Sequence, residues 1–248
     1  MPVLSTPRND LERVAFLQRS VKTGLSDVAA GHNYLSQPTI DEVDALAQTF
    51  DAALSKISTD QSDRSREIRQ RNEAVELLAT YVRDFWEVTR RRAQRLKQPA
   101  EVLTFYGLPL DGTTPKLNSP DEWLATAANV VRGDAEAVAA GYPAMSNPSA
   151  AEITAVLATA RLEAEEVHTA DRTYDVAQAQ LAGLRAKADQ MIADIVAELR
   201  YTLRREDAPS QRRIMRSYGA TYTYLQGEPQ DPDDQPVVEP KLAEETLA

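Results

Sequence analysis

The segment GHNYLSQPTIDEVDALAQTF, residues 31–50, returns as GYPAMSNPSAAEITAVLATA at residues 141–160. At this offset of 110, Gly31, Ser36, Pro38, Glu42, Ala45 and Thr49 fall on Gly141, Ser146, Pro148, Glu152, Ala155 and Thr159, with Val43 on Ile153. Alanine-rich helices align by chance through their alanines, but not through a matched Gly, Ser and Pro of a turn. A self-match at one fixed offset marks a duplicated structural unit.

The match extends outward without a gap, from residues 12–99 onto 122–209, with eighteen of the eighty-eight positions identical. Glu12, Ala15, Val21 and Val28 meet Glu122, Ala125, Val131 and Val138 upstream, and Asp84, Arg90, Arg95 and Pro99 meet Asp194, Arg200, Arg205 and Pro209 downstream. The second copy then gains two residues, after which Tyr106-Gly107 aligns with Tyr218-Gly219. The chain therefore reads as an N-terminal tail (1–8), a helical repeat (9–117), a second helical repeat (118–226) and an acidic, proline-rich tail (227–248).

Each repeat opens at a helix-capping signal, Asn9-Asp10 or Ser119-Pro120. Val14, Leu17, Val21, Leu25 and Val28 space an apolar stripe at helical intervals, and Leu124, Ala127, Val131, Ala135 and Val138 repeat it. Gly31 and Gly141 sit where a left-handed residue ends a helix, and the Ser-x-Pro after each begins the next. From there to Pro99 and to Pro209 no further proline occurs.

In the second copy the seam Ile153, Leu157, Ala160, Ala164, Val167, Ala170, Tyr174, Ala177, Leu181 predicts one helix of about 58 residues. The first copy starts the same seam, then loses it across the polar run STDQSDRSREIRQRN, residues 58–72; a continuous helix is still the reading, with an exposed tip or a break at 58–64 as the alternative. After each long helix comes a short segment closing on Tyr-Gly; the second runs into Tyr222 and Tyr224, whose alternation is strand-like.

Composition agrees with helices: 42% of residues are apolar, but aromatics are only 6% and glycines 9. The fold class expected is all-α: tandem helical hairpins packed as an elongated antiparallel bundle. No cysteine is present, which excludes disulfides, thiolate metal sites and cysteine nucleophiles. No run of about 18 apolar residues is present and Met1–Arg8 has no signal-like core, so no membrane insertion and a cytoplasmic location are expected. The net charge of −10 is concentrated in residues 226–248, which carry −6; this proline-rich tail cannot support a core and reads as disordered.

Candidate chemistry is sparse. Glu165 and His168 have the Glu-x-x-His spacing of di-iron bundles, but their equivalents are Ser55 and Ser58, and the other histidine, His32, lies in a turn. No nucleophile triad or phosphate loop is recognisable, so no enzymatic activity, catalytic residue, metal or cofactor is assigned. Arginines crowd two places, Arg64, Arg66, Arg69 and Arg71, and Arg212, Arg213 and Arg216, a pattern that phosphates attract. Interleaved acids and a pI near 4.8 disfavour nucleic acid as the partner. The remaining specific feature is the pair of Tyr-Gly ends, Tyr106-Gly107 and Tyr218-Gly219, either packing elements or interaction points.

These observations lead to a non-catalytic structural or adaptor protein assembling through helical surfaces, with itself as a homo-oligomer or with another helical protein. A nucleic-acid-associated accessory protein is the alternative, and a metal-binding helical bundle the third reading.

Overall fold

Asn9 and Ser119 start the two short helices as their side chains predict. The Asn9 side chain accepts the Glu12 N–H at 2.9 Å, and Ser119 forms a reciprocal capping box with Glu122. The computed structural model describes residues 2–224 and 226, so the expected disordered tail at 227–248 lies outside the described residues. The protein is all-α, with one small two-stranded sheet among the described residues. Helices α1 (Asp10–Ala29) and α3 (Pro120–Ala139) are the short ones, α2 (Gln37–Arg95) and α4 (Ala150–Thr202) the long ones. A 3-10 helix (Ala100–Tyr106) follows α2, and α5 (Ala208–Ser217) follows α4.

Gly31 and Gly141 end the short helices at φ of 84° and 92°. Their N–H groups bond three residues back to Val28 and Val138, and the next N–H groups bond five back to Asp27 and Ala137. This satisfies helix-end carbonyls that would otherwise lack partners. Helix α4 begins at a second reciprocal cap: Ser149 accepts the Glu152 N–H, and Glu152 accepts the Ser149 N–H at 2.7 Å. The hydrogen bonds from Ser149 hold the Glu152 carboxyl below the usual carboxylate range.

Helix α2 is unbroken for 59 residues, including the polar stretch where a break was plausible. The inward positions continue at helical spacing through half-buried Ile57, buried Asp60, and half-buried Arg64, Ile68 and Arg71. Asp60 is compensated by Lys56 one turn earlier at 2.9 Å. Arg64 pairs with Asp171 and lies 5.7 Å over the Tyr174 ring. The seam persists in position while changing from apolar to ionic, which is why hydropathy alone loses it.

The chain divides into two compact units. Of the described residues, the first takes 2–55 and those from 179 onward. Buried there are Leu17, Val43 and Phe50 from α1 and α2, and Leu181, Ile195 and Leu199 from α4. Arg13 binds Asp189 at 2.7 Å, and Arg185 grips Asp10 through two nitrogens at 2.7 and 2.9 Å, holding the Asp10 carboxyl below its ordinary range. Residues Val3–Ser5, in the expected N-terminal tail, form strand β1 antiparallel to β2 (Thr221–Thr223), with Leu4 opposite Tyr222. The strand-like run before Gly227 is thus a strand, and its partner comes from the other end of the chain.

The second unit takes residues 56–178. Its core joins Leu78, Val82, Phe85 and Trp86 of α2, Tyr106 of the 3-10 helix, Trp123, Ala127 and Val130 of α3, and Ile153 and Leu157 of α4. Helix α3 meets the 3-10 helix backbone to backbone: a Cβ at Gly133 would lie 1.7 Å from the Phe105 carbonyl oxygen. The basic end of α2 does more than complement its dipole, because Arg90 donates to the Gly112 carbonyl and Arg92 to the Pro143 and Ala144 carbonyls. Among the described residues no helix is long and apolar enough to cross a membrane.

Candidate functional site

The Tyr-Gly ends are built alike. Gly107 and Gly219 have φ of 72° and 100°, and each is followed by an N–H that bonds five residues back, Leu108 to Leu103 and Ala220 to Met215. The left-handed glycine turns the chain so that the preceding tyrosine points inward. Tyr106 and Tyr218 are buried at 1% and 0% exposure.

In the second unit the Tyr106 carbonyl accepts the Trp86 indole N–H at 2.8 Å, its ring lies 5.3 Å from that of Phe85, and its hydroxyl donates to buried Asp134 at 3.4 Å. In the first unit the Tyr218 carbonyl accepts the Ser20 hydroxyl at 2.9 Å, and its hydroxyl donates to Asp27 at 2.7 Å. Burial, and secondarily the Asp134 charge, push the Tyr106 phenol up to about 12. Burial and then the bond to Asp27 push Tyr218 up as well. These phenols are neutral hydrogen-bond donors inside their units and present no free edge to a ligand.

The first arginine group is engaged by its own acids. Besides the Arg64 pair with Asp171, Arg66 meets Asp63 at 2.8 Å and Glu67 at 2.9 Å, and Arg71 donates to Asn72. Arg69 is exposed on the same stretch. In the second group Arg216 donates to the Tyr224 hydroxyl at 2.9 Å and lies 5.3 Å over the Tyr222 ring, which ties α5 to the residues around β2. Arg212 is half-buried, and Arg213 is exposed. Arg64, Arg66, Arg71 and Arg216 thus each engage different neighbours within the chain.

Glu165 and His168 are both exposed on α4. The structure brings other carboxylates together: one oxygen each from Glu67, Glu163 and Glu166 lie within 4.8 Å of one another. Glu166 and Glu67 line a cleft of about 340 Å³ in the second unit, with Asp60, Asp63 and Thr173 around it. Oε2 of Glu163 is buried with no hydrogen-bond partner in the described structure. Oxygen-only donors of this kind suit a hard cation such as Ca²⁺ or Mg²⁺, although three carboxylates fall short of a full shell. The local sequence signal is the i, i+3 pair Glu163 and Glu166, but nothing in it points to Glu67, about a hundred residues away. Acids at this density ordinarily read as a solvated face.

No family model, curated protein or solved structure matches the chain.

Proposed function

We propose that the protein is a tandem duplication of one helical unit, packed as an elongated antiparallel bundle, and that it is a non-catalytic structural or adaptor protein that associates with itself through helical surfaces. The duplication is supported by burial as well as identity. At the offset of 110, Val43 and Ile153, Ala47 and Leu157, Phe50 and Ala160, Val82 and Ile192, Phe85 and Ile195, and Trp86 and Val196 are buried in both copies. None of these six pairs is identical, so at these positions it is the inward role that recurs and not the residue.

The observation carrying the functional reading is large apolar side chains exposed on regular helix, among them Leu77 at 51%, Leu162 at 59% and Val176 at 57%. A single exposed leucine is ordinary, but Leu162 and Val176 lie two heptads apart on one face of one helix. Covering such surface is what association through helices achieves. Light scattering across a concentration series tests the reading: an apparent mass that rises above 27.4 kDa supports it, and a monomer at every concentration overturns it.

The alternative, an accessory protein bound to nucleic acid through Arg64, Arg66, Arg69 and Arg71, is weakened by the acids that already occupy Arg64 and Arg66. A salt-dependent gel shift that disappears when these four become serine would promote it over the first reading.

A further inference from the structure

Helix α4 carries a second seam on its outward side. Ala158, Leu162, Glu165, Thr169, Arg172 and Val176 follow one another at steps of four and three, the spacing of a coiled-coil stripe, and all six are exposed. The buried seam through Leu157, Ala160, Val167 and Ala177 faces the core at a different angle, so the same helix can pack on both sides.

The outward seam is self-complementary about its centre. Leu162 lies seven residues before Thr169 and Val176 seven after it; Glu165 lies four before and Arg172 three after. On a helix Glu165 and Arg172 fall on the same flank of the stripe, since steps of −4 and +3 turn to nearly the same angle. Within the chain Arg172 donates to the Thr169 hydroxyl at 3.4 Å and meets Glu165 at 3.6 Å; Glu165 and Arg172 are 69% and 71% exposed, so these long contacts lie in water and can exchange for a closer partner.

We infer that a second copy of this chain docks on the outward seam of α4, antiparallel, with the two-fold axis passing beside Thr169. This rests on the self-association reading above and names its surface. In that arrangement Leu162 covers the partner's Val176, and Glu165 lies beside the partner's Arg172, each contact occurring twice by symmetry. A parallel pairing would instead set Glu165 against the partner's Glu165 and Arg172 against the partner's Arg172, so charge selects the antiparallel form. Close helix approach is favoured by Ala158 and Thr169, which are small.

The absence of cysteine from the chain makes the test direct. Thr169→Cys places the chain's one thiol beside the axis, opposite its own copy, while Thr80→Cys places it on an exposed position of α2 as a control. Under a mild oxidant at micromolar protein, the first variant should form a disulfide-linked dimer at least about tenfold faster than the second, because docking raises the effective thiol concentration. Leu162→Glu and Glu165→Arg should each weaken association about tenfold or more, and Glu165→Arg combined with Arg172→Glu should restore it. Helix content by circular dichroism should match the parent in each.

If the parent chain is monomeric at all concentrations, both the self-association reading and this interface fall. If the parent associates but Thr169→Cys cross-links no faster than Thr80→Cys and Leu162→Glu associates normally, the α4 seam is overturned while self-association stands. Failure of the double charge reversal to restore association overturns the antiparallel pairing in the same way.

Discussion

The Tyr218 hydroxyl donates to Asp27 Oδ2 at 2.7 Å, so the end of α5 is tied to the last turn of α1 across 191 residues of chain. Tyr218→Phe keeps the packed ring and removes this bond, and should cost about 1 kcal/mol in urea unfolding. Tyr218→Ala also empties the site and should cost about 3–5 kcal/mol. Equal stability of the two variants would mean that the ring contributes nothing beyond its hydroxyl.

Alkaline pH should weaken the second unit through Tyr106. Its phenol is raised from 10 to about 12 in the folded protein, so the unfolded chain ionises first as pH rises. The associated stability is complete below about pH 10 and is lost progressively between about pH 10 and 12, amounting to roughly 3 kcal/mol. Denaturation at pH 9 and pH 11.5 measures the loss, and Tyr106→Phe should reduce it. An unchanged slope in that variant would assign the alkaline loss elsewhere, with Tyr218, shifted in the same direction, the next residue to test.

Leu181 and Arg71 occupy equivalent positions at the offset of 110, yet Leu181 is 2% exposed and Arg71 half-buried with a bond to Asn72. Leu181→Ala should cost about 2–5 kcal/mol, and Arg71→Ala less than about 1 kcal/mol. Chemical denaturation of the two variants compares them, and similar costs would show that the two positions do not differ in packing.

Two glycines inside helices should respond in opposite directions. Gly133→Ala drives a methyl to 1.7 Å from the Phe105 carbonyl, which is backbone and cannot step aside, so a large loss of stability is expected. Nothing lies within 4 Å of the Cβ that Gly183→Ala would add, and this variant should gain about 1 kcal/mol from helix propensity. Thermal melting distinguishes them, and a tolerated Gly133→Ala would contradict the close approach of α3 to the 3-10 helix.

Glu163→Gln removes one of three converging carboxylates, including an oxygen with no hydrogen-bond partner in the described structure. In chelator it should raise stability by about 0.5–1 kcal/mol by relieving like-charge repulsion. A rise in melting temperature of the parent on adding Ca²⁺ or Mg²⁺, absent in the variant, would show that the three carboxylates hold a cation.

Much of the fold was legible because helix ends are local. Asn9, Ser119, Gly31 and Gly141 act on N–H and carbonyl groups within five residues, and the sequence window contains all the atoms involved. The carboxylate cluster was not legible, because Glu163 and Glu166 acquire their neighbour Glu67 only when α2 and α4 pack. The arginine groups were legible as groups, but not their engagement: whether Arg64 meets a phosphate or Asp171 depends on what stands opposite it.

The sequence by itself determined that the chain is helical, where α1 and α3 start and stop, and which faces of most helices turn inward, since capping, glycine turns and apolar spacing are short-range properties; the second long helix, expected to run about 58 residues, stops at Thr202, and α5 starts anew at Ala208. Only the tertiary structure decided that α2 runs unbroken through residues 58–72, because ion pairs occupy inward positions that hydropathy reads as solvent. It also decided that the first compact unit unites residues 2–55 with the described residues from 179 onward, because burial brings together segments that chain order separates.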